Sequence, residues 1–117
     1  MEQIRELLFY KNYFKIFFEA QNEKVKQKID HVFFVLTHAE RVPQKFLKHI
    51  EGVKGLYEVR VQSGSSIFRL FCCFDKGNII VLFNGFQKKK QKTPKQEIEL
   101  AVKIMAYYFN EKEHEKK

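Results

Sequence analysis

The stretch from Tyr57 to Phe86 constrains the fold more than any other part of this chain. Tyr57, Val59 and Val61 alternate with Glu58, Arg60 and Gln62, the period of a strand with one buried face. Ser63 to Ser66, containing Gly64, is a turn. Ile67 to Phe74 is apolar almost throughout, interrupted by Arg69, and suits a central strand covered on both sides. Asp75-Lys76-Gly77-Asn78 is a second turn signal, and Ile79 to Phe86 supplies a third strand. Turns this short join antiparallel neighbours, so the stretch predicts a three-stranded meander.

The turns also predict a register. With Ser63 opposite Ser66, Arg60 faces Arg69. With Asp75 opposite Asn78, Arg69 faces Asn84. The expected row across the three strands is Arg60, Arg69, Asn84, and a slip of one residue would dismantle it.

The flanks complete an α+β pattern. A first strand is expected from Ile4 to Tyr10. Asn12 is a candidate cap for a short helix in which Tyr13, Phe14, Phe17 and Phe18 recur at helical spacing up to about Ala20. Asn22 is the candidate cap of a second helix, running to about His38, with the apolar stripe Val25, Ile29, Val32, Phe33 and Leu36. Helices joined this closely form an antiparallel hairpin. Glu40 to Gly55 is mixed and receives no element. Thr93 as cap, Pro94 at the first position and Gln96 as the capping-box partner announce a last helix. Its stripe is Ile98, Ala101, Val102, Met105 and Phe109. The expected domain is residues 1–110, with 111–117 a charged, frayed tail.

A chain of 117 residues with 13 Phe fills one core without a metal or disulfide staple. Cys72 and Cys73 are adjacent, so on a strand they point to opposite faces and do not bridge each other. Their expected state is reduced and buried in a cytoplasmic protein. No run of eighteen apolar residues occurs, so no membrane span is expected, and the charged start at Met1 to Glu6 does not read as a signal peptide.

Lys and Arg number 22 against 14 Asp and Glu, a formal charge of +8. Solubility alone accounts for some such balances, and an anionic partner accounts for others. The distribution favours a partner. Lys88, Lys89, Lys90, Lys92 and Lys95 follow one another with no acidic residue between. They adjoin both the end of the third strand and the start of the last helix, where free N–H groups add positive potential. RNA is the expected ligand.

Directly opposed arginines repel, and Arg69 among Phe68, Leu70 and Phe71 also loses hydration. Either Glu58 compensates them internally, or a phosphate does so functionally. Cleavage of RNA at a 2′-OH needs a base, cations for the phosphorane, in-line geometry and an acid for the leaving oxygen. Arg60 and Arg69 suit the cationic role. Lys88 and Lys90 are candidates for binding phosphate or moving a proton, with Lys89 beside them. Glu58 is a conceivable base. His49 titrates in the right range, although a surface or structural role is the commoner one for such a residue. Phe86 is the candidate for stacking a base, with Asn84, Gln87, Lys92 and Lys95 as further RNA contacts. Tyr57 belongs by alternation to the opposite face, as core. No CxxC, HExxH or glycine-rich phosphate loop occurs, so neither metal nor cofactor is expected.

Three pieces read together carry a family resemblance: Gly55-Leu-Tyr-Glu-Val-Arg60, Phe68-Arg69, and Asn84-Gly-Phe-Gln-Lys-Lys-Lys-Gln-Lys-Thr-Pro-Lys95. The chain resembles the RelE/HigB-like toxin superfamily, and within it the phage-derived HigB-type branch. The likeness runs over nearly the whole chain, in the order strand, helical hairpin, three strands, helix. It implies a toxin of a type II toxin–antitoxin pair that cleaves mRNA on the 70S ribosome without metal, leaving a 2′,3′-cyclic phosphate. It also implies a cognate antitoxin with a helix-turn-helix domain, through which alone the toxin meets operator DNA. Arg60 falls where these toxins carry a basic residue on the second strand, Arg69 matches their central-strand arginine, and Lys88 to Lys90 match a basic position just after the last strand. The chain departs from the family where a tyrosine often opens the last helix, since Thr93 and Pro94 stand there. The other readings are a non-catalytic RNA- or ribosome-binding module on the same fold, and a DNA-binding or structural partner.

Overall fold

The computed structural model describes residues 2–115. The strands are β1 (Glu6–Phe9), β2 (Leu47–His49), β3 (Tyr57–Ser63), β4 (Ser66–Asp75) and β5 (Ile79–Lys88); the helices are α1 (Tyr13–Glu19), α2 (Glu23–His38) and α3 (Lys95–Glu115). One five-stranded sheet runs in the order β1-β5-β4-β3-β2. β1 lies parallel to β5, and the other pairs are antiparallel.

The two faces of the sheet are covered differently. α1 and α2 form the expected hairpin on one face, joined by the ring contact of Phe14 with Phe33 at 5.3 Å. Val59, Val61, Phe68, Leu70, Cys72, Ile80 and Leu82 point into this layer with Val25, Ile29, Val32 and Leu36. α3 covers the other face, where Phe71, Cys73, Val81 and Phe83 meet Ala101, Ile104 and Tyr108. The apolar run of β4 is thus explained: it is the central strand, buried on both sides. Cys72 and Cys73 are free and buried, one in each layer. Burial pushes both thiols up, Cys73 to about 12, which suits packing rather than reactivity.

Local signals operate as the residues dictate, with exceptions. Asn22 accepts a hydrogen bond from the Val25 N–H at 3.0 Å and caps α2. The Asn12 side chain forms no cap bond. α3 begins at Lys95, and the Pro94 carbonyl accepts from the N–H groups of Glu97 and Ile98 at 3.1 and 3.4 Å. β2 falls in the stretch that received no element from sequence; three residues are too few to show a period. β1 is shorter than expected: the Ile4 and Arg5 N–H groups donate to the Thr37 carbonyl at 2.8 and 3.0 Å instead of to a strand, and Tyr10 keeps a single bond to the Leu82 carbonyl at 3.2 Å.

The sequence predicts a charged, frayed tail over 111–117; in the structure α3 runs to Glu115. The Tyr10 hydroxyl donates to Glu111 Oε1 at 2.7 Å, Lys11 pairs with Glu111 at 3.0 Å, and the Tyr108 hydroxyl donates to Asp75 Oδ2 at 2.6 Å. Lys112 pairs with the same Asp75 carboxylate. These side chains thus have partners on the body of the domain. Residues 116–117 of the expected tail lie outside the described residues.

Candidate nucleic-acid interface

β3 and β4 pair as the first turn dictates. Ser63 faces Ser66, and Arg60 faces Arg69. The second half of the expected row is displaced. Asp75 pairs with Ile79 rather than Asn78, leaving a three-residue loop with Lys76 and Gly77 at positive φ of 50° and 79°. The register shifts again between Leu70 and Cys72: Leu70 faces Gly85 but Cys72 faces Leu82. Phe83 and Asn84 therefore both stand opposite Phe71, a β-bulge in β5. The row is Arg60, Arg69, Phe86, not Arg60, Arg69, Asn84.

That face carries a compact set of groups. Glu58, Arg60 and Gln62 on β3, Arg69 on β4, and Phe86 and Lys88 on β5 share it, with Phe86 at the margin of the α3 layer. Lys48 on β2 joins them, directly opposite Glu58. Sequence reading missed Lys48, because no signal marked β2.

Arg69 is 7% exposed and Glu58 also 7%. Arg69 Nε lies 2.9 Å from Glu58 Oε2, but neither atom completes a hydrogen bond by direction. The contact is a close ion pair without a directed fork. Arg69 Nη1 donates to the Phe68 carbonyl at 3.1 Å. Burial lowers the Arg69 pKa, the Glu58 charge opposes that shift, and Arg60 adds to it. The internal compensation weighed from sequence is thus present for Arg69. Arg60 is different. It is half-buried and forms no ion pair among the described residues. Its Nη1 reaches only the Gln44 carbonyl at 3.4 Å, and its Nε is buried without a partner. Lys88 is half-buried, and its pKa is held down first by burial, then by Arg69, against the opposing Glu58 charge, with Arg60 and Lys48 contributing.

Phe86 stacks on Phe71, centroids 5.7 Å apart at 20°, and keeps one side toward a groove of about 590 Å³ lined by Lys89, Lys90, Lys92 and Pro94. Lys89, Lys90, Lys92 and Lys95 are exposed, and Lys95 makes a loose surface pair with Glu99 at 3.9 Å.

Two expected residues, His49 and Asn84, stand apart, and Gln87 does so only in part. His49 pairs with Tyr57 and packs its ring edgewise on it, centroids 5.2 Å apart; both lie on the hairpin side of the sheet. A histidine there does not reach a phosphate between Arg60 and Lys88. Gln87, opposite Phe68, alternates to the hairpin side yet also lines the groove beside Phe86. Asn84 is 6% exposed at the bulge, donating to the Glu97 carbonyl at 3.5 Å, so it contacts α3 rather than a ligand on the surface. No group of three or more His, Cys, Asp and Glu side chains suited to a metal ion occurs among the described residues.

The sequence matches the family model described as phage derived protein Gp49-like (DUF891) over residues 16–106. The chain belongs to that family. The match spans α1 to α3 and includes every member of the cationic face. No curated protein matches this Gp49-like chain significantly. Among solved structures, it is similar to the archaeal RelE–RelB complex from Pyrococcus horikoshii OT3, with 14% identity and a TM-score of 0.52. The similarity covers 74% of this chain and 98% of that one. At this identity the likeness shows the fold: the Gp49-like chain is broadly RelE-like. No described helix is long and apolar enough to cross a membrane.

Proposed function

We propose that this Gp49-like protein is the toxin of a type II toxin–antitoxin pair, an endoribonuclease that cuts mRNA held on the ribosome. The observation that carries the reading is the juxtaposition of Arg60, Arg69, Lys88 and Lys48 around Glu58 at one end of the sheet, beside the lysine rim. Four cations about one carboxylate leave a surplus of positive charge that a backbone phosphate satisfies. The RelE-like fold supports the same reading. In this reading the partners are an antitoxin and, only through it, operator DNA, and the site of action is the cytoplasm.

The chemistry follows from the groups. Glu58 accepts the 2′-OH proton, the 2′-oxygen forms a bond to the adjacent phosphorus, and the bond from phosphorus to the 5′-oxygen breaks. Arg60 and Arg69 neutralise the phosphorane. Lys88, its proton loosened by burial and neighbouring cations, protonates the leaving 5′-oxygen. The products are a 2′,3′-cyclic phosphate and a 5′-OH. Phe86 offers a face for a base.

The test is induction in growing cells with primer extension on translated mRNA. Cleavage in step with the reading frame is expected, reduced at least about 100-fold in Lys88→Ala, the scale of a lost proton donor. Arg60→Ala should weaken RNA binding as well. A wild-type protein that leaves translated mRNA intact would refute the enzyme. A second reading, a non-catalytic RNA- or ribosome-binding module, is favoured by one observation: Arg69 is already engaged by Glu58 and the Phe68 carbonyl. Ribosome or RNA binding without cutting would select it.

A further inference from the structure

β2 covers the edge of β3 only at Tyr57 to Val59. Beyond it the Arg60 N–H is capped by the Phe46 carbonyl at 2.8 Å, and the edge then opens into a cleft of about 460 Å³. The cleft wraps from the cationic face around the sheet to α2. Its ionisable wall residues are Lys28 and His31 from α2, Lys45 from the approach to β2, and Arg60 and Arg69 from the sheet, with the neutral Gln62 beside them, and no carboxylate lines it. Phe46 organises the mouth: the His31 ring meets it edgewise at 6.2 Å, and Lys45 Nζ sits 4.9 Å from its centroid.

Two independent observations point to an anion here. The first is sign: every ionisable group on the walls is basic, drawn from three separate elements rather than one run of lysines. The second is the buried Arg60 Nε, which has no partner; a buried guanidinium N–H left unpaired is costly unless a ligand completes it. Arg60 lies where the cleft meets the catalytic face, so one guanidinium serves both.

We propose that this cleft binds a second backbone phosphate of the same RNA strand, leading the strand around the edge of β3 from Arg60 to Lys28, His31 and Lys45. The inference rests on the RNA reading above and adds the course of the substrate and three residues to it. The lysine rim after β5 and the α2 cleft then lie on opposite sides of the Arg60–Arg69 pair, and the scissile phosphate sits between them.

The test is the salt dependence of single-stranded RNA binding by the full chain, read by fluorescence anisotropy with a substrate carrying a 2′-deoxy block at the cut. Lys28→Ala/Lys45→Ala, both exposed residues outside the reacting groups, should weaken binding several-fold. It should also flatten the slope of log K against log salt by about 0.7, the value for one lost phosphate contact on a single strand. A three-nucleotide RNA, too short to reach the cleft, should bind both proteins alike. Lys54→Ala/Lys103→Ala removes the same charge elsewhere and should leave the slope unchanged. An unchanged slope in Lys28→Ala/Lys45→Ala, or an equal loss in the control pair, overturns the cleft while leaving the RNA reading intact. A wild-type chain that binds no RNA overturns both.

Discussion

Glu58→Gln separates the structural and chemical roles of the central ion pair. In the wild type, opposite charges 2.9 Å apart attract by about 6 kcal/mol at an effective dielectric of about 20. Most of that only repays desolvation, since both groups are 7% exposed. Removing one charge leaves Arg69 buried beside Arg60 with no counter-ion, a loss on the order of 3–5 kcal/mol. Gln keeps the shape and one accepting oxygen, which places the expected loss near about 3 kcal/mol. For a chain of this size that lowers Tm by roughly 12 °C.

The same change frees Arg69 for a ligand. Inorganic phosphate should therefore raise the Tm of Glu58→Gln more than that of the wild type, because binding to the native state stabilises in proportion to affinity. RNA should bind at least as tightly, while cleavage falls by about 100-fold or more if Glu58 takes the 2′-OH proton. Thermal melts with and without phosphate, together with a cleavage assay, read all three. A Tm within about 2 °C of wild type, with an equal phosphate shift in both proteins, would refute the argument that this pair holds the site closed.

Two further changes test the frame around the site. Asp75 is held below the usual carboxylate range first by Lys112 and then by the Tyr108 hydroxyl; its folded pKa is depressed, so its contribution is present above the unfolded value of about 3.9 and is lost as pH falls through the folded one. Asp75→Asn should cost about 1–3 kcal/mol at neutral pH and flatten the loss of Tm on acidification below about pH 4; a variant with an unaltered acid limb would show that the α3 latch is not a source of stability. Gly85→Ala places a Cβ against Leu70 Cδ2 and 3.0 Å from Phe17 Cγ, overpacking expected to cost about 1–3 kcal/mol. Urea melts should show a lower midpoint at unchanged m, and wild-type stability would contradict the Leu70–Gly85 register.

How much of this was legible follows from which signals are local. The register of β3 and β4 is set by one tight turn, so Arg60 opposite Arg69 could be read directly from Ser63 and Ser66. The helical hairpin and α3 follow from apolar stripes, and α2 also from its Asn22 cap; the Asn12 side chain makes no cap bond, and the Pro94 carbonyl rather than Thr93 opens α3. β2 left no trace, because Leu47–His49 is shorter than any period; hence Lys48 was missed and His49 was assigned no face. The contacts at the end of α3 leave no local signal, because its partners, Tyr10 and Asp75, lie far away in sequence.

The β4–β5 register failed for a different reason, and it determines the site. Ile79 to Phe83 is continuously apolar, so alternation there cannot reveal a slip. The loop adds one residue and the bulge at Phe83–Asn84 adds another, and two slips of one restore the original parity. Phe86 thus lands on the face expected for it, but opposite Arg69 in place of Asn84. Without the bulge, Val81 and Phe83 facing α3 would oblige Gly85 and Gln87 to face that side as well, and Phe86 and Lys88 would turn to the helical hairpin. With it, Gly85 instead sits beneath Phe17, where an added Cβ would press on Leu70 and the Phe17 ring, and Lys88 joins Arg60 and Arg69. The inserted residue is therefore what brings the lysine end of β5 onto the arginine face, and Gly85 is the residue type that lets α1 close over the strand where this happens.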